Sequence, residues 1–167
     1  MANNEWGTPL NYIESARKVM GSIDVDPASN ELAQQTVKAE KYYTKDNSSL
    51  DKPWHGNVWL NPPYGRGDAE RFVNPLANMF VMGITTNAIV LTNNVPDTNW
   101  WSSTIGEVCS AVCLLDHRIA FINPETGKPE RGNDRNQLFA YLGNNVAGFI
   151  AEFSQYGLCC LPVRSAA

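Results

Sequence analysis

Two consecutive prolines, Pro62 and Pro63, follow directly on the apolar run Val58-Trp59-Leu60 and a single asparagine, Asn61. Proline lacks a backbone N–H and holds φ near −65°, so a strand that runs into such a pair cannot carry its hydrogen-bond ladder any further. Residues 58–60 are therefore expected to form a short buried strand, with the backbone carbonyls after it unpaired and directed out of the sheet's end. Within four residues, Asn61-Pro62-Pro63-Tyr64 presents a carboxamide, a stiff carbonyl and a flat ring. A proline-rich turn with a satisfied Asn and a packed Tyr is the plain alternative. The strand context favours chemistry.

Other segments extend the pattern. Thr8 as N-cap, Pro9 at the first helical position, apolar Leu10, Ile13, Ala16 and Met20, and Gly21 as terminator predict a helix over residues 10–20. SIDVDPAS reads as a buried strand over 23–26 ended by Pro27, after which Asn30 is placed to cap a helix over 31–43. Further on, a helix is expected over 69–82 despite Pro75, a strand over 88–92 and a helix near 100–106. Strands over 111–115, 119–122 and 138–142 follow, the last two separated by the polar loop 123–136. Strands alternating with helices imply a mostly parallel α/β sheet, and the closely spaced later strands imply an antiparallel edge. Ligands of such sheets bind beyond the carboxyl ends of the strands. The DPAS and NPPY turns should therefore share one crevice. Asp24 and Asp26 alternate across their strand, so only one need face a ligand, and Asp26, next to the turn, is the better placed. Its plain alternative is a turn or cap made with Ser29.

A length of 167 residues and a hydrophobic fraction of 43% suit one folded domain over 1–167, with no separate target-recognition domain evident. No apolar stretch is long enough to span a bilayer and the N-terminal residues lack the features of a secretory signal, so a cytoplasmic protein away from membranes is expected. Cys109, Cys113, Cys159 and Cys160 lie in apolar segments and read as buried free thiols. With His55 and His117 far apart, no metal is expected. A net charge of −4 excludes nucleic-acid binding through bulk positive charge. Any such contact would rest on local groups: Arg66 and Arg71 in one region, Arg118, Lys128, Arg131 and Arg135 in another.

The NPPY loop suits one task in particular. An exocyclic amine conjugated to a ring is a poor nucleophile because its lone pair is delocalised. Two acceptors, the Asn61 side-chain oxygen and the Pro62 carbonyl, would bind its two hydrogens and favour a pyramidal nitrogen. Tyr64 would stack on the base, as enzymes that act on an extruded base require. No GxGxxG dinucleotide fingerprint follows the 23–26 strand.

Taken together, EWGTPLNYIESARKVMGSIDVDPAS, VKAEKYYT, VWLNPPYGR, DHRIAFINPETGKP and LFAYLGNN resemble the phage-type DNA N6-adenine methyltransferase (Dam) family over most of the chain. The resemblance implies a Rossmann-like class I S-adenosylmethionine-dependent methyltransferase fold, with S-adenosylmethionine as cofactor. It implies that Thr8 and Pro9 border the methionine end of that cofactor, that Asp26, Pro27 and Ala28 lie under it, and that Asn61, Pro62, Pro63 and Tyr64 are catalytic. Trp6, Ser29 and Asn61 complete the expected cofactor site, although Ser29 and Asn30 depart from the glycine-rich form that this turn takes in other amino-methyltransferases. The implied substrate is an adenine flipped out of double-stranded DNA, with GATC as the family-level site and a host-cell cytoplasm as the setting. The long loops 93–101 and 123–136 would then read DNA, Asn94 and Trp100 among them. An acidic chain of this kind is expected to need a partner subunit, as in a homodimer, to grip DNA. NPPY is also similar to the motif of enzymes that methylate RNA guanine or protein glutamine side chains, but those carry a glycine-rich cofactor turn. A non-catalytic DNA-binding relative is the remaining alternative, and the intact motif series stands against it.

Overall fold

The apolar runs assemble into a seven-stranded sheet, seen in a computed structural model that describes residues 6–65 and 67–164. Its strands are β1 (Val25–Asp26), β2 (Lys41–Tyr42), β3 (Gly56–Leu60), β4 (Thr85–Asn93), β5 (Ala111–Leu115), β6 (Gln137–Leu142) and β7 (Gly157–Cys160). They lie in the order β2-β1-β3-β4-β6-β5-β7. Strands β2, β1, β3 and β4 are mutually parallel, while β6 runs antiparallel to both β4 and β5, and β7 antiparallel to β5. The expected parallel sheet with an antiparallel remainder is thus present.

Side chains alternate across each strand, so the sheet buries two apolar faces, each under helices. On one face Trp59, Ile89, Leu91, Phe139 and Tyr141 pack with Ile13 and Ala16 of α1 (Leu10–Met20), Val37 of α2 (Glu31–Val37) and Phe149 and Phe153 of α6 (Val146–Phe153). On the other, Val58, Leu60, Val90 and Leu138 meet Val73 and Leu76 of α3 (Asp68–Val81) and Ile105 of α5 (Ile105–Val108). Phe139 is the hub of the first face, with ring centroids 5.0 Å from Phe153, 5.4 Å from Tyr12 and 6.2 Å from Trp59.

Several local expectations hold. Gly21 ends α1 at φ 90°, a conformation open to glycine, and the Asn30 side chain accepts from the Ala33 N–H at 2.8 Å to cap α2. Pro75 stays inside α3. Cys109 and Cys113 are buried free thiols, whereas Cys159 and Cys160 are only partly covered because they lie on the edge strand β7.

Others are corrected. The helix expected over 31–43 stops at Val37, where Lys38 turns left-handed (φ 47°, ψ 47°). Residues 41–42 become β2 instead, because pairing beside β1 satisfies Lys41 N–H on the Asp24 carbonyl (2.9 Å), and the next N–H, that of Tyr43, bonds Asp26 O (3.0 Å). The strand expected over 119–122 does not form. Ile119 and Phe121 are buried by packing, and Ile122 makes isolated bridges to Gly7 and Pro129 rather than a ladder. The helix near 100–106 is two single turns, α4 (Asn99–Ser102) and α5. Thr8 does not cap α1: Pro9, with ψ 142°, occupies the cap position and no side-chain capping bond is made. Helix α6 and strand β7 were not expected, although Asn145, whose side chain accepts from Gly148 N–H, is a capping residue ahead of an apolar run.

Because Phe139 is fully buried amid aromatic rings, Phe139→Ala should lower stability by about 3–5 kcal/mol. Equilibrium denaturation in urea measures this directly.

Candidate active site

The chain leaves β1 toward β2 on one side and reaches β3 on the other, so the strand order reverses between β1 and β3. Helices α2 and α3 pack on opposite faces of the sheet there, which opens a crevice beyond the carboxyl ends of the strands. A cavity of about 990 Å³ occupies this end, lined by Trp6, Thr8, the DPAS and NPPY turns, Asn93, Phe121 and Gln137, among others. The two turns share one crevice, as the sequence implied.

Its rim grows out of the apolar face below. Two residues beyond Trp59 and Leu91 come Asn61 and Asn93, and two residues before Phe139 comes Gln137; each lines the cavity. Strand periodicity thus sets amides above an aromatic floor.

Asn61 is held from two directions. Its Nδ2 donates to Thr8 Oγ1 at 3.2 Å, and its Oδ1 accepts from the Tyr64 hydroxyl at 2.7 Å. Thr8 is only 4% exposed, and a threonine that fails to cap its helix is free to take this role. The Tyr64 hydroxyl also lies 3.3 Å from the Leu91 carbonyl, and its ring stands 6.4 Å from Phe121 at 60°. A carboxamide oxygen has two lone pairs, so Asn61 keeps acceptor capacity after Tyr64 is served.

Asp26 is 2% exposed and its partners are neutral. The Ala28 N–H donates at 3.3 Å to Oδ1, and Gln34 Nε2 donates at 3.0 Å to Oδ2 while also reaching Ser29 Oγ at 2.7 Å. Burial pushes the carboxyl up to about 7, against the opposing pull of these bonds and of Ser29. Asp24 lies outside the cavity: Ser22 Oγ and the Asn57 N–H donate to it at 2.7 and 2.8 Å, tying β1 to β3.

Of the remaining residues singled out by sequence, Trp6, Pro27, Ala28 and Ser29 line the cavity and Pro9 does not. Arg71, Arg131 and Arg135 reach its rim, where acidic Asp68, Glu130 and Asp134 accompany them. Asn94, Trp100, Arg118 and Lys128 lie off it. The Asn94 N–H donates to Asn136 O at 2.8 Å and Arg118 donates to Asn133 O at 3.3 Å, so both hold the 123–136 loop in place, while Trp100 packs against the second core face. Arg66 falls outside the described residues. Gln34, Phe121 and Gln137 escaped the sequence reading, and Asn93, expected at the start of a loop that reads DNA, lines the cavity instead. Gln137 carried a faint signal, a polar residue at the head of an apolar run, but Gln34 reaches Asp26 from eight residues away with no local pattern. Among the described residues no group of three His, Cys, Asp or Glu side chains could hold a metal ion, and no helix is long and apolar enough to cross a membrane.

An α/β sheet with a buried carboxylate and a proline-stiffened carboxamide facing one crevice at its switch point defines a ligand-binding α/β enzyme architecture. Residues 1–149 match the family described as DNA N-6-adenine-methyltransferase (Dam), and the chain belongs to that enzyme family. It is 26% identical over 163 residues to a DNA N-6-adenine-methyltransferase of Escherichia phage T1, covering 88% of this chain and 66% of the relative. To a DNA N-6-adenine-methyltransferase of Haemophilus phage HP1 (strain HP1c1) it is 27% identical over 137 residues, covering 80% and 75%. The chain thus spans about two thirds of one relative's length and three quarters of the other's. No solved structure matches it significantly.

The Asp26 carboxyl titrates near 7 folded and near 3.9 in an unfolded chain. The folded state therefore holds the proton more tightly, and stability falls as pH rises from about 4 to about 7. Asp26→Asn removes that loss. The variant should gain on the parent by on the order of 1 kcal/mol per pH unit across this window and by a constant margin above it, as read from melting temperatures at a series of pH values.

Proposed function

We propose that this chain transfers the methyl group of S-adenosylmethionine to the exocyclic N6 of an adenine flipped out of double-stranded DNA. The observation that carries the reading is the shared crevice: the Asn61 oxygen, an acceptor for an amine, and buried Asp26, a carboxylate with only neutral partners, open into the same cavity. A cationic α-amino group is the natural complement of such a carboxylate. The family and its phage relatives, whose names specify adenine in DNA, support the choice of base.

On this reading Trp6, Thr8, Asp26, Pro27, Ala28 and Ser29 hold the cofactor on a class I methyltransferase sheet, and Asn61 borders it. Bound there, S-adenosylmethionine supplies an electrophilic methyl group on a sulfonium whose departure as a neutral thioether calls for no metal. The residues of the chain position and polarise. Asn61 Oδ1 and the Pro62 carbonyl accept the two amine hydrogens, drawing the nitrogen lone pair out of conjugation, and Thr8 keeps the carboxamide turned the right way. Pro62 and Pro63 hold this loop stiff, so little reorganisation is needed when the amine arrives. The face of Tyr64 packs on the extruded base, whose removal from the duplex costs a few kcal/mol. Arg71, Arg131 and Arg135 supply phosphate contacts around the opening. GATC is the site we assign, and a homodimer would double the basic side chains available to an acidic chain.

Incubation with labelled S-adenosylmethionine and methylation-free DNA should yield N6-methyladenine after digestion to nucleosides. Label confined to RNA guanine or to protein glutamine would refute the proposal. Asn61→Ala should reduce the turnover number by about 100-fold or more and leave cofactor affinity, measured by calorimetry, nearly unchanged.

A further inference from the structure

A chain of three amides runs along the cavity rim. Asn133 Nδ2 donates to Gln137 Oε1 at 2.6 Å, and Gln137 Nε2 donates to Asn93 Oδ1 at 3.2 Å. Its polarity is fixed at one end by the backbone. The Arg135 N–H, which can only donate, bonds Asn133 Oδ1 at 3.0 Å. Asn133 must then present its NH2 to Gln137, Gln137 must present its own to Asn93, and the Asn93 carbonyl is consumed.

What remains at the far end is the Asn93 NH2. Asn93 is one of the residues that line the cavity, and among the described residues its one side-chain hydrogen bond is the one that its oxygen accepts from Gln137. Gln137 is 2% exposed, so the relay cannot be inverted by solvent, and the β4–β6 register sets Asn93 opposite Gln137. A clamp serving only to pin the 123–136 loop would have no reason to leave its last donor open. Asn93 extends the strand row of Leu91, whose carbonyl the Tyr64 hydroxyl touches, so the donor and the NPPY loop serve the same end of the sheet.

We infer that Asn93 is a specificity-determining residue that donates a hydrogen bond to the ring nitrogen flanking the target amine, with Gln137 and Asn133 as positioning residues that set its polarity. The inference rests on the proposed reaction at an adenine amine. Adenine places an unprotonated ring nitrogen near that amine, N1 on one side and N7 on the other. A donor beside two acceptors therefore matches an amine next to a bare ring nitrogen: the acceptors repel a carbonyl at the amine's place, and the donor repels a ring N–H at the nitrogen's place.

The test uses duplexes carrying a site that the wild-type protein methylates, with the target adenine kept or replaced by 1-deazaadenine or 7-deazaadenine. The wild type should lose about 10-fold in kcat/KM with one of the two analogues. Asn93→Asp, which still accepts from Gln137 but offers no donor, should be slower on adenine and show no further loss with that analogue. Asn93→Ala should behave likewise, and melting curves of both variants confirm the fold. An equal analogue penalty in wild type and variants, or no penalty in the wild type, would overturn the role of Asn93 alone. If the wild type methylates no DNA adenine, the reaction itself is wrong and the inference falls with it.

Discussion

Strand β4 has a parallel neighbour on one side and an antiparallel one on the other, and the geometry of the site follows from that asymmetry. A parallel partner brings β3 out at the same end, which delivers Asn61 and the NPPY loop beside Asn93. An antiparallel partner begins where β4 finishes, so the long 123–136 loop that precedes β6 must also arrive there. One strand thereby gathers the NPPY loop, the amide relay and the charged rim into a single crevice. The fully buried packing of Ile89, Val90 and Leu91 between two helical layers makes that register hard to shift, since a one-residue slip would drive every side chain to the wrong face.

Within the crevice, hydrogen bonds between distant residues convert this coarse placement into chemistry. Thr8 and Asn61 are 53 residues apart, and their contact links the start of α1 to the end of β3. With Nδ2 on the threonine hydroxyl, Oδ1 is turned toward Tyr64. Tyr64 meets that oxygen through its hydroxyl, so the Tyr64 ring and the Asn61 acceptor are coupled through one side chain. Asp26 is the counterweight. Its burial among neutral partners raises the energy of its charged form, and a cation entering the cavity would relieve that strain.

The legible parts of this protein were those governed by nearest neighbours. Pro62 and Pro63 end β3, Gly21 ends α1, Asn30 caps α2, and apolar periodicity marks the strands that reach the core. Where a distant partner intervened, local pattern misled. The helical run after Asn30 reads through residue 43, yet Lys41 and Tyr42 gain more from pairing beside β1 than from continuing α2. Ile119 and Phe121 look like a strand because they are apolar at alternate positions, but that alternation buries them in the first core face without a ladder. Thr8 looks like a cap, and its hydroxyl serves Asn61 instead.

By itself, then, the sequence determined a strand that must stop at Asn61, a stiff loop carrying acceptors, an acidic strand end before Pro27 and a family pattern that joins them, all of which depend on backbone restrictions of adjacent residues. The tertiary structure alone decided that Asp24 ties β1 to β3 outside the cavity, that Thr8 meets Asn61, and that Asn133 and Gln137 occupy the Asn93 oxygen. Each of these depends on sheet register and on hydrogen bonds across the fold, and the polarity of an amide is set by whichever partner lies beyond it, which no local pattern records.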